Sequence, residues 1–257
     1  MLAQLCRADE RLLSPVRHRS EGCQRALLEL KVRETLVRSR VDQTNNLRFL
    51  VKSLGLNVPA GIKANALTRR ARVRLDAATC ALVEPLLATI DALSAQIKAL
   101  DARLEKLANE VYPHTQRLRQ IPGVGPLTAL GFVLTLEKPE RFPHARDVGA
   151  YLGLVPRRDQ SGESDKQLPI TKAGNTHLRC LLVNCAHYIL GPFGPPSPAF
   201  CSAKAPDLRE AGLRIAARGG SAAKKRAVIA VARKLAVTLL VLWRSGAEYQ
   251  PTLRTAA

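Results

Sequence analysis

The sequence predicts a mainly α-helical protein, in which long antiparallel, coiled-coil-like helices are followed by a compact helical domain with a helix-hairpin-helix-like turn. Three observations predict it: helical apolar spacing over residues 21–54, a heptad repeat up to residue 111, and a Gly-Val-Gly turn between two later apolar stretches. We place residues 1–114 in a basic helical region and residues 115–257 in a second domain.

The first long helix is predicted from Glu21 to Leu54, where apolar residues at helical spacing alternate with arginines. Gly55 is expected to stop it. The connector that follows contains Pro59, which breaks regular structure, and ends in four arginines at positions 69, 70, 72 and 74.

The second long helix carries apolar residues that step by four and three in alternation, which is the spacing of a coiled-coil seam. The predicted seam consists of Leu86, Ile90, Leu93, Ile97, Leu100, Leu104, Leu107 and Val111. This stripe must pack on the first helix folded back or on another subunit. Pro113 is expected to close the helix.

Gly123, Val124 and Gly125 stand between two apolar helical stretches. In a helix-hairpin-helix turn, such glycines let backbone N–H groups approach a phosphate, and the second helix adds its positive N-terminal end. A plain glycine C-cap followed by Pro126 at the first helical position would give nearly the same letters.

The last helix follows a Pro/Gly-rich linker at residues 191–200 and the break at Gly219-Gly220. Ser221 is its predicted N-cap. Its predicted core face is Val228, Ala232, Leu235, Leu239 and Leu242, and its candidate nucleic-acid contacts are Lys224, Lys225 and Arg226. An ordinary amphipathic helix with a solvated side explains the same pattern.

The charge balance points to a polyanionic partner. Forty Lys and Arg against 21 Asp and Glu leave a formal charge of +19, and the sequence pI is about 10.4. Only 4% of the residues are aromatic, which favours backbone charge contacts over base stacking. A generic basic surface, or attraction to an anionic membrane, is the alternative.

The chain lacks an uninterrupted apolar stretch of roughly 18 residues and an apolar leader after Met1, so we expect a cytoplasmic protein without a membrane partner. The six cysteines include no CxxC pair, which favours reduced thiols. A zinc site is conceivable from His177, Cys180, Cys185 and His187, but these residues share one predicted helix and point around it.

The loop from Tyr151 to Asn175 holds the candidate chemistry. Ser161 precedes Gly162, which allows a sharp turn, and the loop also supplies Arg157, Arg158 and Lys166 as candidate phosphate contacts. A serine hydroxyl attacks phosphorus only with a base, a metal ion or clustered cations beside it. The alternative is that Ser161 only forms the turn, which is the usual role of a serine in a polar turn.

A helix is predicted to begin near Asn175, which is itself a candidate phosphate contact. Its exposed N–H groups, with Lys172 just upstream and Arg179 one turn in, would make an anion-binding corner. The sequence therefore predicts that this corner and the serine loop handle one DNA phosphate.

Four ordered blocks resemble one known family. IPGVGPLTA, RFPHARDVGAYLGLVPRRDQSG, ITKAGNTHLRCLLVNCA and KKRAVIAVARKLAVTLLVLW look like the C-terminal transposase domain of the IS-one-ten family of bacterial insertion-sequence transposases. With the basic helical region from ADERLLSPVRHRSE onward, the resemblance covers almost the whole chain.

The resemblance implies that Ser161 is a nucleophile that becomes joined to DNA. It also implies DNA as the substrate and a structured guide RNA as a partner. A homo-oligomer is expected separately, because the apolar stripe of the second long helix could pack on another subunit. Family members carry a RuvC-like domain with four acidic residues that bind divalent metal. The first residues here resemble the family's chain just after that domain, and Asp9, Glu10 and Asp42 do not reconstitute it.

We therefore expect no metal or other cofactor in this chain itself. Divalent metal would come from the missing domain or from an intact partner, and activity of the chain alone is in doubt. Two alternatives stay open: a non-catalytic helical nucleic-acid-binding module, and a coiled-coil oligomerisation protein whose charge is incidental.

Overall fold

The computed structural model describes residues 18–56, 64–193 and 205–251, together with Gln4, Cys6, Arg7 and Asp9. The fold is mainly α-helical, as predicted. The helices are α1 (Glu21–Ser53), α2 (Ala64–Arg74), α3 (Ala77–Glu110), α4 (His114–Leu118), α5 (Pro126–Leu136), α6 (Asp147–Tyr151), α7 (Thr176–Leu190), α8 (Pro206–Ala216) and α9 (Gly220–Ser245). A 3-10 turn covers Pro139–Arg141, and two strands, β1 (Pro156–Ser161) and β2 (Ser164–Ile170), pair with each other.

The first long helix begins and ends where the sequence predicts. Ser20 caps α1 by accepting a hydrogen bond from the Cys23 N–H, and the chain leaves the helix through Leu54 and Gly55. Gly55 has a φ of +76°, which glycine adopts without steric cost. The apolar periodicity and the glycine stop were therefore sufficient to locate this element.

Helices α1 and α3 pack against each other as a long antiparallel hairpin, so the stripe on α3 finds its partner in the same chain. The predicted seam is wrong in part. The buried residues of α3 are Val83, Leu87, Ile90, Ser94, Ile97, Leu104 and Ala108. Leu86, Leu93, Leu100 and Leu107 are only half-buried beside this line, and Val111 is 59% exposed.

Polar contacts in the middle of the hairpin explain the difference. Arg33 on α1 forms an ion pair with Asp101 on α3, and the Arg40 guanidinium lies 3.4 Å from the Ser94 hydroxyl. Ser94 and Asp101 lie on the side of α3 that contacts α1. The apolar pattern alone assigns this side to the neighbouring leucines, Leu93 and Leu100. The helical hairpin therefore has an apolar cluster at each end, and these polar contacts lie between the clusters beside the buried Ile97.

Helix α5 joins the hairpin to the second half of the chain. Leu130 and Leu134 pack against Cys23, Ala26 and Leu104 at the base of the hairpin. Residues on the other sides of α5, including Phe132, Val133 and Leu136, belong to the large core formed mainly with α7 and α9. Because α5 is buried from Thr128 onward, it fixes both parts of the fold at once.

Helix α3 is long and apolar enough to cross a membrane by length and composition alone, with a mean hydropathy of 1.4 over 18 residues. In this structure its apolar positions contact α1, α2 and α5. A coiled-coil helix passes the same test, so the composition by itself does not indicate a span.

The loop that follows α6 forms a β-hairpin, which the sequence analysis did not predict. β1 and β2 pair antiparallel from Pro156 opposite Ile170 to Ser161 opposite Ser164, with an irregularity between Pro156 and Arg158. Neither strand shows the alternation of apolar and polar residues that marks a half-buried strand.

Candidate nucleic-acid interface and serine hairpin

Ser161 lies at the end of this two-stranded hairpin and is exposed. It faces Ser164 across a two-residue turn made by Gly162 and Glu163. Gly162 has a φ of +56°, and a positive φ at the first position of a two-residue hairpin turn favours glycine. The serine-glycine step therefore places a hydroxyl where a large ligand can reach it.

The hairpin as a whole does not carry the excess of positive charge that its three candidate phosphate contacts suggest. Its three basic residues, Arg157, Arg158 and Lys166, are balanced by three acidic ones, Asp159, Glu163 and Asp165. The Arg158 guanidinium lies 3.7 Å from the Asp165 carboxylate, and Lys166 pairs in register with Asp159. Arg157 is exposed on β1. The hairpin presents Ser161 but supplies no net positive charge.

The base of the hairpin is locked by two glycines that the sequence analysis did not single out. A Cβ on Gly153 would lie 2.2 Å from the Ala173 nitrogen, and a Cβ on Gly174 would lie 2.1 Å from the Tyr151 oxygen. Both glycines have positive φ. The two chain segments that enter and leave the hairpin therefore touch backbone to backbone, which only glycine permits.

Arg179 has a different role from the one predicted. It is 8% exposed, and its guanidinium donates to the Leu152 oxygen at 3.1 Å, the Ala173 oxygen at 2.6 Å and the Thr176 hydroxyl at 3.2 Å. These acceptors lie on both sides of the hairpin base. Arg179 is thus a clamp within the protein, not a free cation of the anion-binding corner.

Asn175 is also occupied within the protein. Its side-chain oxygen accepts from the Leu178 N–H at 3.0 Å, which caps α7 as expected of an asparagine before a helix. Its side-chain nitrogen donates to the Thr135 hydroxyl at 3.4 Å. We correct its assignment from phosphate contact to helix cap.

Lys172 remains exposed at this corner, with a φ of +57°. Non-glycine residues in the left-handed region cost free energy and cluster at functional sites. An open groove of about 470 Å³ lies between α1 and the start of α7. Within it, the Glu34 carboxylate holds both Arg38 and His177, each at 2.9 Å. Of the predicted corner, Lys172 is left to meet an anion, because Arg179 and Asn175 are occupied and Asn175 takes the Leu178 N–H of α7.

The Gly-Val-Gly turn precedes α5 and contacts α7. Gly123 has a φ of +95°, and a Cβ there would lie 2.7 Å from the Tyr188 ring. The Val124 side chain is buried, and its N–H donates to the Ile121 oxygen at 3.0 Å. Val124 therefore cannot offer its N–H to a phosphate. Gly125 is the N-cap of α5 with Pro126 at the first helical position. The alternative is therefore right about Pro126, but the preceding helix α4 ends with Arg119 as its C-cap and not with a glycine.

The candidate cations of the last helix are exposed. Lys224, Lys225 and Arg226 lie near the start of α9, and the Lys224 ammonium lies 5.8 Å from the centre of the Phe193 ring. The predicted core face of this helix is buried throughout. The predicted cap is wrong, because α9 begins two residues earlier, with Gly219 as N-cap, and Ser221 lies inside the helix.

A polar joint between the start of α1 and the second half of the chain was missed as well. Arg19 donates to the Thr135 oxygen at 2.7 Å and to the Tyr151 hydroxyl at 3.1 Å. The Glu137 carboxylate accepts from the Ser20 N–H at 2.7 Å, and this bond lowers the pKa of Glu137. Since Tyr151 ends α6, the joint connects the helical hairpin to the segment that leads into β1.

Divalent metal does not fit the acidic residues that the structure describes. Among them, no three His, Cys, Asp or Glu side chains come together as a metal site. Asp9 and Asp42 belong to no such group, and Glu10 lies outside the described residues. The zinc alternative also fails here, because Cys185 is buried beside Thr128 and burial raises the pKa of its thiol.

The family model and the relatives that match this chain are all described as transposases. Residues 115–200 match the family described as transposase IS116/IS110/IS902. The chain is 32% identical over 178 residues to a probable family 20 transposase of Pseudomonas aeruginosa. The aligned region covers 62% of this chain and 49% of the relative. It is 35% identical over 174 residues to the transposase for insertion sequence element IS1111A of Coxiella burnetii, covering 63% and 45%.

A third relative, the transposase for insertion sequence element IS1328 of Yersinia enterocolitica, is 33% identical over 162 residues, covering 61% of this chain and 47% of the relative. The chain thus spans about half the length of the curated relatives it matches. The matched family region, residues 115–200, contains the Gly-Val-Gly turn, the serine hairpin and α7. These residues belong to the IS116/IS110/IS902 family of transposases.

Proposed function

We propose that this protein acts in the transposition of an insertion sequence and that Ser161 is the nucleophile that becomes joined to DNA. The observation that carries the proposal is the exposed serine at the end of a hairpin whose base is fixed by Gly153, Gly174 and Arg179. A hairpin with a rigid base and an accessible turn suits a hydroxyl that must reach a phosphate of a DNA strand bound by other parts of the protein.

In the proposed step, the Ser161 oxygen forms a bond to phosphorus, and the bond from phosphorus to one of its strand oxygens breaks. The hydroxyl proton passes to a base, and the departing strand oxygen takes up a proton. Developing negative charge on the phosphate requires cations or N–H donors close by. The hairpin has no net positive charge, so these groups come from outside it; the exposed Lys172 at the start of α7 is a candidate.

Ser164 provides a matched control, because it faces Ser161 directly across the hairpin and is also exposed. We would mix the protein with labelled DNA carrying the element's end, together with a full-length relative whose own corresponding serine is replaced by alanine. Any protein–DNA adduct then contains this chain. We expect the adduct with the unchanged protein and with Ser164→Ala, and none with Ser161→Ala. An adduct of undiminished yield from Ser161→Ala would eliminate the proposal.

A second candidate function is a non-catalytic nucleic-acid-binding module. The balanced charge of the hairpin and the exposed cations at the start of α9 favour it. Replacing Lys224, Lys225 and Arg226 by glutamine would then weaken DNA binding, and no mixture would yield an adduct. DNA binding that survives this triple change would argue against α9 as the contact.

A structured guide RNA and a second copy of the chain are further proposed partners. The guide RNA rests on the family resemblance, and the second copy rests on the apolar spacing of the second long helix. We also retain the cytoplasm as the proposed location. Mass measurement of the protein in solution, with and without RNA, tests both partners: a single-copy mass in both conditions would contradict them.

A further inference from the structure

We propose that the far end of the helical hairpin, where α2 packs, is a second contact for the backbone of duplex DNA. The three residues that form it are Arg69, Arg70 and Arg74, which we call the tip arginines. This inference rests on DNA being a partner of the protein, as proposed above, but not on the chemistry of Ser161.

The orientation of α2 is fixed by its buried side. Leu67 and Ala71, with Leu75 just after the helix, pack into one cluster with Leu47 and Val51 of α1, and with Val83, Leu87 and Ile90 of α3. Burial of this face leaves the opposite side of an 11-residue helix in solvent. The exposed side chains of α2 therefore have a defined direction.

The acidic groups beside α2 are already used. Arg72 donates to Glu84 and to Asp91, at 2.8 Å in each case, and the Thr68 hydroxyl donates to Asp91 at 2.7 Å. The guanidinium lowers the pKa of Glu84. Arg72 thus ties α2 to α3, and these carboxylates are not left to neutralise the other arginines.

The tip arginines carry uncompensated charge. All three are exposed, and none forms an ion pair with a described residue. α2 contains no acidic residue in its sequence, ANALTRRARVR. Arg70 and Arg74 stand four positions apart, where like charges on a helix repel each other. The positive charge of Arg74 is also stabilised by the negative, C-terminal end of the dipole of α2. That effect is confined to the last turn of the helix and does not account for Arg69 or Arg70.

A row of arginines suits phosphate groups, because each guanidinium is always charged and presents a planar fork of donors. Val73 lies among them and is 81% exposed, and Leu54 and Leu82, near the same end of the helical hairpin, are 60% and 79% exposed. Basic and apolar side chains together also suit an anionic membrane, so binding to anionic vesicles that depends on the tip arginines would overturn the assignment to DNA. We commit to DNA because it is the polyanion implied by the transposase family that residues 115–200 match.

The tip is far from the serine hairpin. The 33 residues of α1 span about 50 Å at 1.5 Å per residue, and the tip lies at the end of α1 away from α5. A duplex would need roughly 15 base pairs to reach from one end to the other, at about 3.4 Å per pair. The proposed contact is therefore separate from the residues of the proposed strand chemistry.

The test uses the full chain and a duplex of about 30 base pairs, which is long enough to span the helical hairpin of α1 and α3. Binding is measured by fluorescence anisotropy over a series of salt concentrations. The tip variant replaces Arg69, Arg70 and Arg74 by glutamine. The control variant replaces Lys31 on α1, Lys98 on α3 and Arg117 on α4 by glutamine. These residues are exposed, lie away from the tip and form no ion pair with a described residue, so the control removes three comparable charges.

Each lost phosphate contact lowers the slope of log K against log salt by about 0.9. We expect the tip variant to lose up to about 2.7 from the slope and the control variant less than about 1. Equal losses in the two variants would overturn the proposal, since total charge would then be the cause. A tip effect on duplex RNA alone would overturn the assignment to DNA.

A second measurement does not depend on losing affinity. A photoreactive amino acid at Val73 should become crosslinked to the bound duplex, and the same group at Leu28, exposed near the base of the hairpin, should not. Absence of a crosslink at Val73 would overturn the proposal. Ser161→Ala should leave the crosslink unchanged, so failure of the strand chemistry and failure of the tip contact give different results.

Discussion

Arg179 offers the sharpest test of how the serine hairpin is held. Replacing it by methionine keeps an unbranched apolar stem and removes three hydrogen bonds, to the Leu152 oxygen, the Ala173 oxygen and the Thr176 hydroxyl. Two backbone oxygens at the hairpin base then lose a charged donor. A hydrogen bond to a charged group contributes about 1.5–3 kcal/mol, and buried groups left without a partner are costly.

We expect Arg179→Met to lower the free energy of unfolding by about 2–4 kcal/mol, because part of the site is reached by water. For a chain of this size that corresponds to a fall in Tm of roughly 4–16 °C. Thermal unfolding followed by circular dichroism measures it. Arg179→Lys keeps the charge but cannot reach three acceptors with one planar group, so it should fall in between.

Hydrogen exchange gives a local readout of the same change. The N–H of Thr171 donates to the Val155 oxygen, and the N–H of Lys172 donates to the Gly153 oxygen, across the base of the hairpin. Both amides should exchange faster in Arg179→Met, while amides in α3 keep their rates. A Tm within about 1 °C of the unchanged protein, with unaltered exchange at these amides, would refute the clamp.

Three further predictions follow from the contacts above. Gly153→Ala and Gly174→Ala should each destabilise the protein by more than about 1 kcal/mol in urea unfolding, because the added methyl meets backbone at 2.2 Å and 2.1 Å, whereas Gly162→Ala meets no atom and should cost less. The hydrogen bond from the Ser20 N–H lowers the pKa of Glu137, so this bond stabilises the fold at pH values above the ordinary pKa of 4.5, and the stabilisation is lost as the pH falls through the lowered pKa. Glu137→Gln should therefore flatten the acid side of the curve of stability against pH, and an unchanged curve would contradict this. Leu87→Ala should cost about 2–5 kcal/mol and Leu86→Ala clearly less in the same unfolding assay, and the reverse order would restore the seam predicted from the sequence.

The long helices α1 and α3 could be predicted from the sequence because their apolar spacing is regular and glycine marks the end of α1. Helix α2 was missed, since residues 64–74 were assigned to a connector. The seam of α3 could not be predicted, since the pattern of leucines is equally regular one position away. What selects the true line is the fit of Ser94 and Asp101 to Arg40 and Arg33 on a helix distant in sequence. A single helix does not contain that information.

The serine hairpin was missed for a related reason. Its strands have no buried face, so the alternation that reveals most strands is absent. The direction of charged side chains was also hidden: Lys172 and Arg179 look alike as letters, but one is exposed and the other is buried against carbonyl oxygens. The joint between Arg19 and Thr135 spans 116 positions and leaves no local signal.

The central claim is that the oxygen of Ser161 forms the bond to DNA. Digestion of a trapped adduct, followed by mass spectrometry of the nucleotide-bearing peptide, locates that bond to a single residue. The account predicts fragment ions that place the nucleotide mass on Ser161. Fragment ions that place it on Ser164, or on a residue outside the hairpin, would contradict the account.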